Sequence, residues 1–203
     1  MSLSKFTRLS ILLASLLSFN MVLANHALAA KWQLDAEHST ISFVSVKKEK
    51  VGETHVFTDF SGSINQQQAH IIIKPDSVDS KVPIRNERMR EFLFETGTYP
   101  TIEVSSAIGD VIAGLTKGQP SHVQLPATLK LHGVEEAITL DVYVSKNGKN
   151  TLSVVSAQPV IIKAATFNLV DGVNKLSELV GGLPIVTAVP VNFVLTFTKV
   201  KKG

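Results

Sequence analysis

The chain has 203 residues, 44% of them apolar, no cysteine, and a formal charge of +3 at pH 7. The missing cysteines exclude disulfides, thiol catalysis, thiolate metal sites and lipid attachment through an N-terminal cysteine. The near balance of charge gives no support for a nucleic-acid partner, and the length suits one domain with a substantial core.

Lys5 and Arg8 lead into an apolar run from Leu9 to Val22, followed by the A-x-A site Ala27-Leu28-Ala29. The run is shorter than the ~20 apolar residues of a spanning helix. Residues 1–29 therefore read as a cleaved export signal rather than a stable membrane anchor, with 30–203 as one exported domain. Loss of Lys5 and Arg8 removes no acid, so the exported domain is nearly neutral.

The exported part opens on Trp32, an Asp35-x-x-His38-Ser39 turn, and the alternating Ile41 and Phe43. Strands are predicted at Thr40–Val46, Phe57–Ile64 and His70–Ile73. The spacing of Met89, Phe92 and Leu93 predicts a charged helix over Arg85–Phe94, supported by the i,i+3 pairs Glu87–Arg90 and Arg88–Glu91. A strand follows at Thr101–Ser106.

From Val123 to Leu131 apolar residues occupy every odd position, a period of two that buries one face. Pro126 lacks an N–H, so that strand is expected to be bulged or locally unpaired there. His132-Gly133 ends it, and Ile138, Leu140, Val142 and Val144 form the next apolar face. Asn147-Gly148 reads as a type I′ hairpin turn, with Leu152 and Val154 starting the return strand. Val160–Ala165 is a further strand, and a short helix is expected over Asp171–Val180, capped by Asp171. The last strand places Val189, Val191, Phe193, Leu195 and Phe197 on one face. Gly181-Gly182, Pro184 and Pro190 exclude a second membrane span there. The closing lysines read as a solvated tail or a weak attraction to anionic lipid heads. Many short antiparallel strands with turn signals indicate an all-β sandwich or barrel.

Several of these segments together resemble the YceI-like family of secreted, lipocalin-like polyisoprenoid-binding proteins. Trp32–Phe43 is similar to the family's opening. Gly52, Phe57, Phe60, Gly62 and Ile64 resemble its Val-x-Gly-x-Phe…Phe-x-Gly-x-Ile strand pair. Arg85, Asn86, Met89, Arg90, Phe94, Tyr99 and Pro100 resemble its charged block, with Met89 for the usual leucine and Arg88 at a site often histidine. Leu129, Leu131, His132 and Gly133 resemble its strand-and-turn signature. The resemblance implies an antiparallel lipocalin-like β-barrel of about eight strands with one or two short helices, located in the periplasm.

Histidines His38, His55, His70, His122 and His132 provide no obvious metal site, which needs convergent ligands. His122 and His132 would stand ~33 Å apart on one strand, and His38 is best read as a hydrogen-bonded turn residue. Ser45-x-x-Lys48 lies in a strand without the partner motifs of serine acyl-enzymes. No catalytic or metal residues are assigned, and no cofactor.

The expected interior residues are Phe43, Phe60, Leu129, Leu131, Leu140, Val142, Phe193, Leu195 and Phe197, none of them charged. An apolar lumen implies an apolar guest: by the resemblance, a polyisoprenoid or quinone-type lipid. Arg88, Met89, Arg90, Phe92 and Phe94 form either a plug at one barrel end or a lid, with an arginine on a polar lipid head. A stress or interaction protein with a filled barrel, and an enzyme on a quinone-like or lipid substrate, are the alternatives. The pattern leaves a homodimer open.

Overall fold

The computed structural model describes residues 31–48 and 50–200. The export signal read from residues 1–29 and the terminal lysines Lys201 and Lys202 lie outside the described residues. Among the described residues eleven strands form one antiparallel sheet. They are β1 (Trp32–Lys47), β2 (Val51–Phe57), β3 (Phe60–Asn65), β4 (Gln68–Ile73), β5 (Val78–Asp79), β6 (Ile102–Ala107), β7 (Ser121–Leu131), β8 (Val134–Asn147), β9 (Thr151–Ser156), β10 (Val160–Lys163) and β11 (Ala188–Lys199). Among the described residues three α-helices accompany them: α1 (Pro83–Arg88), α2 (Gly109–Gly114) and α3 (Val170–Leu179).

The sheet closes because β1 pairs with β11 as well as with β2 and β3. β2 and β3 run in line along β1, so the strand predicted over Phe57–Ile64 is interrupted at Thr58-Asp59. β9 and β10 run in line along β11, interrupted before Pro159. With each in-line pair counted once and the short β5 set aside, eight strand positions form the barrel, as predicted. Closure removes the unpaired sheet edges that would otherwise invite association.

Local chemistry explains where the strands bend and turn. The Asp35-x-x-His38-Ser39 segment is a wide bulge in β1, across which the register against β11 shifts. His38 Nδ1 lies 3.0 Å from Asp35 Oδ2, and Ser39 Oγ donates to the Asp35 carbonyl at 2.6 Å. β7 turns into β8 through His132-Gly133, both at positive φ (50° and 77°), the backbone of a type I′ turn.

For Pro126 the second of the two expected outcomes, local loss of pairing, holds, and three other expectations are corrected. Pro126 causes no bulge against β8, where Pro126 faces Thr139 in unbroken register. Pairing with β6 ends at Ala127, so the missing N–H falls where no partner strand remains. The β8–β9 loop is not a two-residue turn: Asn147 still pairs with Thr151, and only Gly148 takes positive φ. Asp171 does not cap α3, which starts at Val170 after Leu169 with no side-chain cap. The charged helix is α1 followed by a π-helical turn over Met89–Leu93, and its arginines take tertiary partners instead of the predicted Glu87–Arg90 and Arg88–Glu91 pairs.

The helices sit at the two barrel ends. α2 connects β6 to β7 at one end and packs against β8. At the other end the π-helical turn packs on α1 and α3. Gly172 makes that contact close: a Cβ there would lie 2.4 Å from the Phe92 carbonyl oxygen.

Candidate functional site

The barrel interior is an apolar cavity of about 150 Å³. All eight strand positions contribute to its wall, through residues such as Ile41, Ile64, Ile71, Val104, Leu129 and Val154. The accessible wall is wholly apolar. Its one hydroxyl residue, Ser106, donates to the Pro126 carbonyl at 2.8 Å and so presents no free polar group. The lining runs from Leu125 to Leu131 on β7 and from Val191 to Phe197 on β11, a strand length of ~20 Å. The cavity is thus a narrow tube along the barrel, with free volume for a guest about as large as benzene.

The period of two produces this tube, because alternate residues on every strand point inward. Leu129, Leu131, Leu140, Phe193, Leu195 and Phe197 all line it, as the alternation places them. Phe43, Phe60 and Val142 are buried but do not line it. Phe43 lies where β1 pairs with β2, with its ring against His55, Phe57 and Phe94. Val142 is fully buried near the end that α2 covers. Most of the wall from β4, β6 and β10, including Ile71, Val104 and Ile162, went unnamed in the sequence reading. These strands are too short for alternation to stand out.

The α1 end is shut by packing. None of Arg88, Met89, Arg90, Phe92 and Phe94 lines the cavity. Met89 and Phe94 are buried in the core, and Phe94 packs on Phe57 at 5.7 Å between ring centroids. The arginines are committed elsewhere. Arg88 donates to the Leu179 carbonyl at the C-terminus of α3, and Arg90 Nε donates to the Asp76 carbonyl at 2.6 Å. Arg85 meets Glu53 at 2.7 Å. This segment therefore forms a plug, with no arginine facing the lumen.

A polar cluster beneath this plug was missed by the sequence reading. Lys47 and Arg85 both hold Glu53, at 2.5 and 2.7 Å. Hydrogen bonding from Lys47 leads in keeping its carboxyl below the usual range, with the Arg85 charge adding to it. His55, 1% exposed, lies 2.7 Å from Ser45 Oγ through Nε2. Burial, with the charge of Arg85, depresses its pKa to about 4, so the imidazole is neutral at pH 7. Its Nδ1 has no hydrogen-bond partner. The hydroxyl–imidazole pair thus lacks the acceptor that would orient it for nucleophilic catalysis, and it ties β1 to β2. Nearby, the side chain and backbone N–H of Lys81 hold the Asp79 carboxyl at about 2. The sequence offers Ser45 only within Ser45-x-x-Lys48 and His55 only as one of the scattered histidines; the register of β1 against β2 brings them together.

The remaining histidines are dispersed: His70 faces Glu103, His122 faces Asp141, and His132 meets Glu95 at 2.7 Å. Among the described residues no three potential ligands converge as a metal site. Among them, too, no helix is long and apolar enough to cross a membrane.

Comparison with known proteins places this geometry. A family model described as a YceI-like domain matches residues 32–197. A solved polyisoprenoid binding domain from Saccharophagus degradans, implicated in plant cell wall breakdown, is 39% identical. The match covers 85% of this chain and 99% of that one, with a TM-score of 0.80. BcnA of Burkholderia cenocepacia shares the fold at 20% identity and a TM-score of 0.61, over 80% of this chain and 98% of that one. Comparison with curated proteins gives no match.

Proposed function

The chain belongs to the YceI-like domain family, and on that premise we propose that it encloses a polyisoprenoid chain, of a polyprenyl lipid or a quinone tail, in its lumen. It would serve as a periplasmic carrier or reservoir, in transport, storage or stress response. The observation that carries this reading is the wholly apolar cavity walled by all eight strand positions. The similarity to a polyisoprenoid binding domain supports it.

The mechanism is passive. Burying hydrocarbon contributes ~0.8 kcal/mol per CH₂-sized group, so each five-carbon unit adds roughly 3–4 kcal/mol before offsets. Ordering the flexible chain and losing its translational freedom cancel much of that gain. The branched, unfunctionalised chain suits a wall that offers no hydrogen bond. A hydroxyl or amide inside it would be buried without a partner, at a cost of about 1–3 kcal/mol.

A filled barrel acting through partner contacts is the second reading. The modest cavity volume favours it, since engineered apolar cavities of that class hold a guest about as large as benzene. A long chain therefore requires rotation of wall side chains such as Phe193 and Leu140.

Gentle purification followed by lipid extraction and mass spectrometry separates the two readings. The lipid reading predicts a prenyl lipid that co-purifies, or stoichiometric uptake of added polyprenol or ubiquinone. Repeated absence of both favours the filled barrel.

A further inference from the structure

Barrel closure passes over one stretch of β8. This strand pairs with β7 from Val134 to Val144, but with β9 only from Val142 onward. β10, which continues the line of β9, pairs with β11 and, among the described residues, with no strand on its other side. Residues 134–140 therefore have a free edge. The wall of the lumen is less deeply buried here: Ile138 and Leu140 of β8 and Val160 and Ile162 of β10 line it and are only half-buried.

One bond fixes the direction of the backbone groups. The Asp141 carbonyl points to the β9 side, where the Ala157 N–H donates to it at 2.8 Å. At a period of two, Glu135, Ala137 and Thr139 turn their N–H and C=O groups to that same side, and all three residues are exposed. The residues between them bond to β7. Pro126 fits this pattern: it stands opposite Thr139, a pair that exchanges no bond, so its missing N–H leaves the β7–β8 ladder whole.

An edge of this kind invites strand addition unless it is blunted. Residues 134–140 carry no proline, and their register against β7 is unbroken. What the edge carries is negative charge. Glu135 and Glu136 are exposed, and among the described residues neither meets a cation; Lys130, opposite Glu135, lies 4.0 Å from Glu103 instead. Glu136 shares the face of Ile138 and Leu140. A carboxylate at such an inward position discourages an all-apolar strand and suits one that brings a cation to it.

We propose that the free edge of β8 takes an added strand: an extended, basic peptide segment of a partner protein, antiparallel to β8, with apolar residues against Ile138 and Leu140 and lysine or arginine against Glu135 and Glu136. Main-chain hydrogen bonds to Glu135, Ala137 and Thr139 supply the affinity, and the alternate side chains the specificity. A second copy fits less well, because β8 paired with β8 gathers both glutamates of each copy at one seam. The assignment is independent of what the lumen holds.

The probe that matches this edge is the peptide Val-Thr-Val-Thr-Lys-Lys-Val, antiparallel to residues 134–140. The exported domain is expected to prefer it about tenfold at low salt over the same peptide with glutamates for lysines, a preference that shrinks as salt is raised. Hydrogen exchange at Glu135, Ala137 and Thr139 should slow on binding. N-methylation of the two peptide threonines removes donors to β8 and should abolish binding. Ala137→Pro removes one edge N–H and spares the ladder to β7, so it is expected to keep the thermal midpoint and lose the peptide. E135Q/E136Q is expected to lose the preference for lysine. Absence of binding, binding that survives N-methylation or Ala137→Pro, or slowed exchange confined to other strands overturns the proposal. Should Ala137→Pro fail to fold, the N-methylated peptide decides. A dimer that Ala137→Pro abolishes, with no peptide bound, gives the edge to a second copy and overturns the peptide assignment.

Discussion

Phe94 stands edge-on to Phe43, with ring centroids 6.3 Å apart and planes at 90°. One ring belongs to the segment that follows the π-helical turn and the other to β1, so this contact and that with Phe57 seal the α1 end. Edge-to-face pairs add to the area term that any buried aromatic contributes. Phe94→Ala is expected to cost about 3–5 kcal/mol, measured by denaturant unfolding. Because Phe94 lies outside the cavity wall, the folded fraction should keep its lipid capacity.

Gly172 is a second point of closure at that end. A Cβ there would meet the Phe92 carbonyl oxygen at 2.4 Å and Leu93 Cα at 2.8 Å, both backbone atoms. Gly172→Ala should therefore force α3 off the π-helical turn, costing about 1–3 kcal/mol as overpacking does. Faster hydrogen exchange in α3 and residues 89–93, with unchanged exchange in β6 to β8, is the expected signature.

Leu140 lines the tube and is only partly buried, so Leu140→Trp is a blocking substitution. It is expected to abolish uptake of a prenyl lipid, at a stability cost of about 1–3 kcal/mol. Lipid extraction from the folded variant checks it. Unchanged lipid content would place the ligand elsewhere.

His55 predicts a pH dependence. Its pKa falls from 6.5 to about 4 on folding because burial disfavours the charged ring. Below pH 6.5 the unfolded chain takes up a proton that the native chain refuses, so stability declines as pH falls from 6.5 toward 4. Between pH 7 and pH 5 the loss is about 2 kcal/mol. Glu53 and Asp79, depressed from 4.5 and 3.8, add losses only below their unfolded values. Unfolding midpoints at the two pH values should show the decline, and His55→Gln should flatten it. An equal slope in both proteins would contradict the account.

The legible parts of the sequence were those where one rule acts over many residues. Alternation along β7 and β11 placed Leu129, Leu131, Phe193, Leu195 and Phe197 on the lumen wall. It failed for Phe43, also at an inward-type position, because its ring is taken up by His55, Phe57 and Phe94 at the plugged end. Spacing indicated a helix around Arg88 but not its partners: the Asp76 and Leu179 carbonyls lie 14 and 91 residues away from the arginines they bind.

The central claim is that one prenyl chain lies inside the barrel. A crystal structure of the exported domain grown with a polyprenol tests it most directly. The account predicts continuous chain density between β7 and β11, touching Leu129, Leu140 and Phe193, with wall side chains rotated outward to widen the tube. An interior that keeps its packing unchanged, with lipid absent or confined to the outer surface, would contradict it.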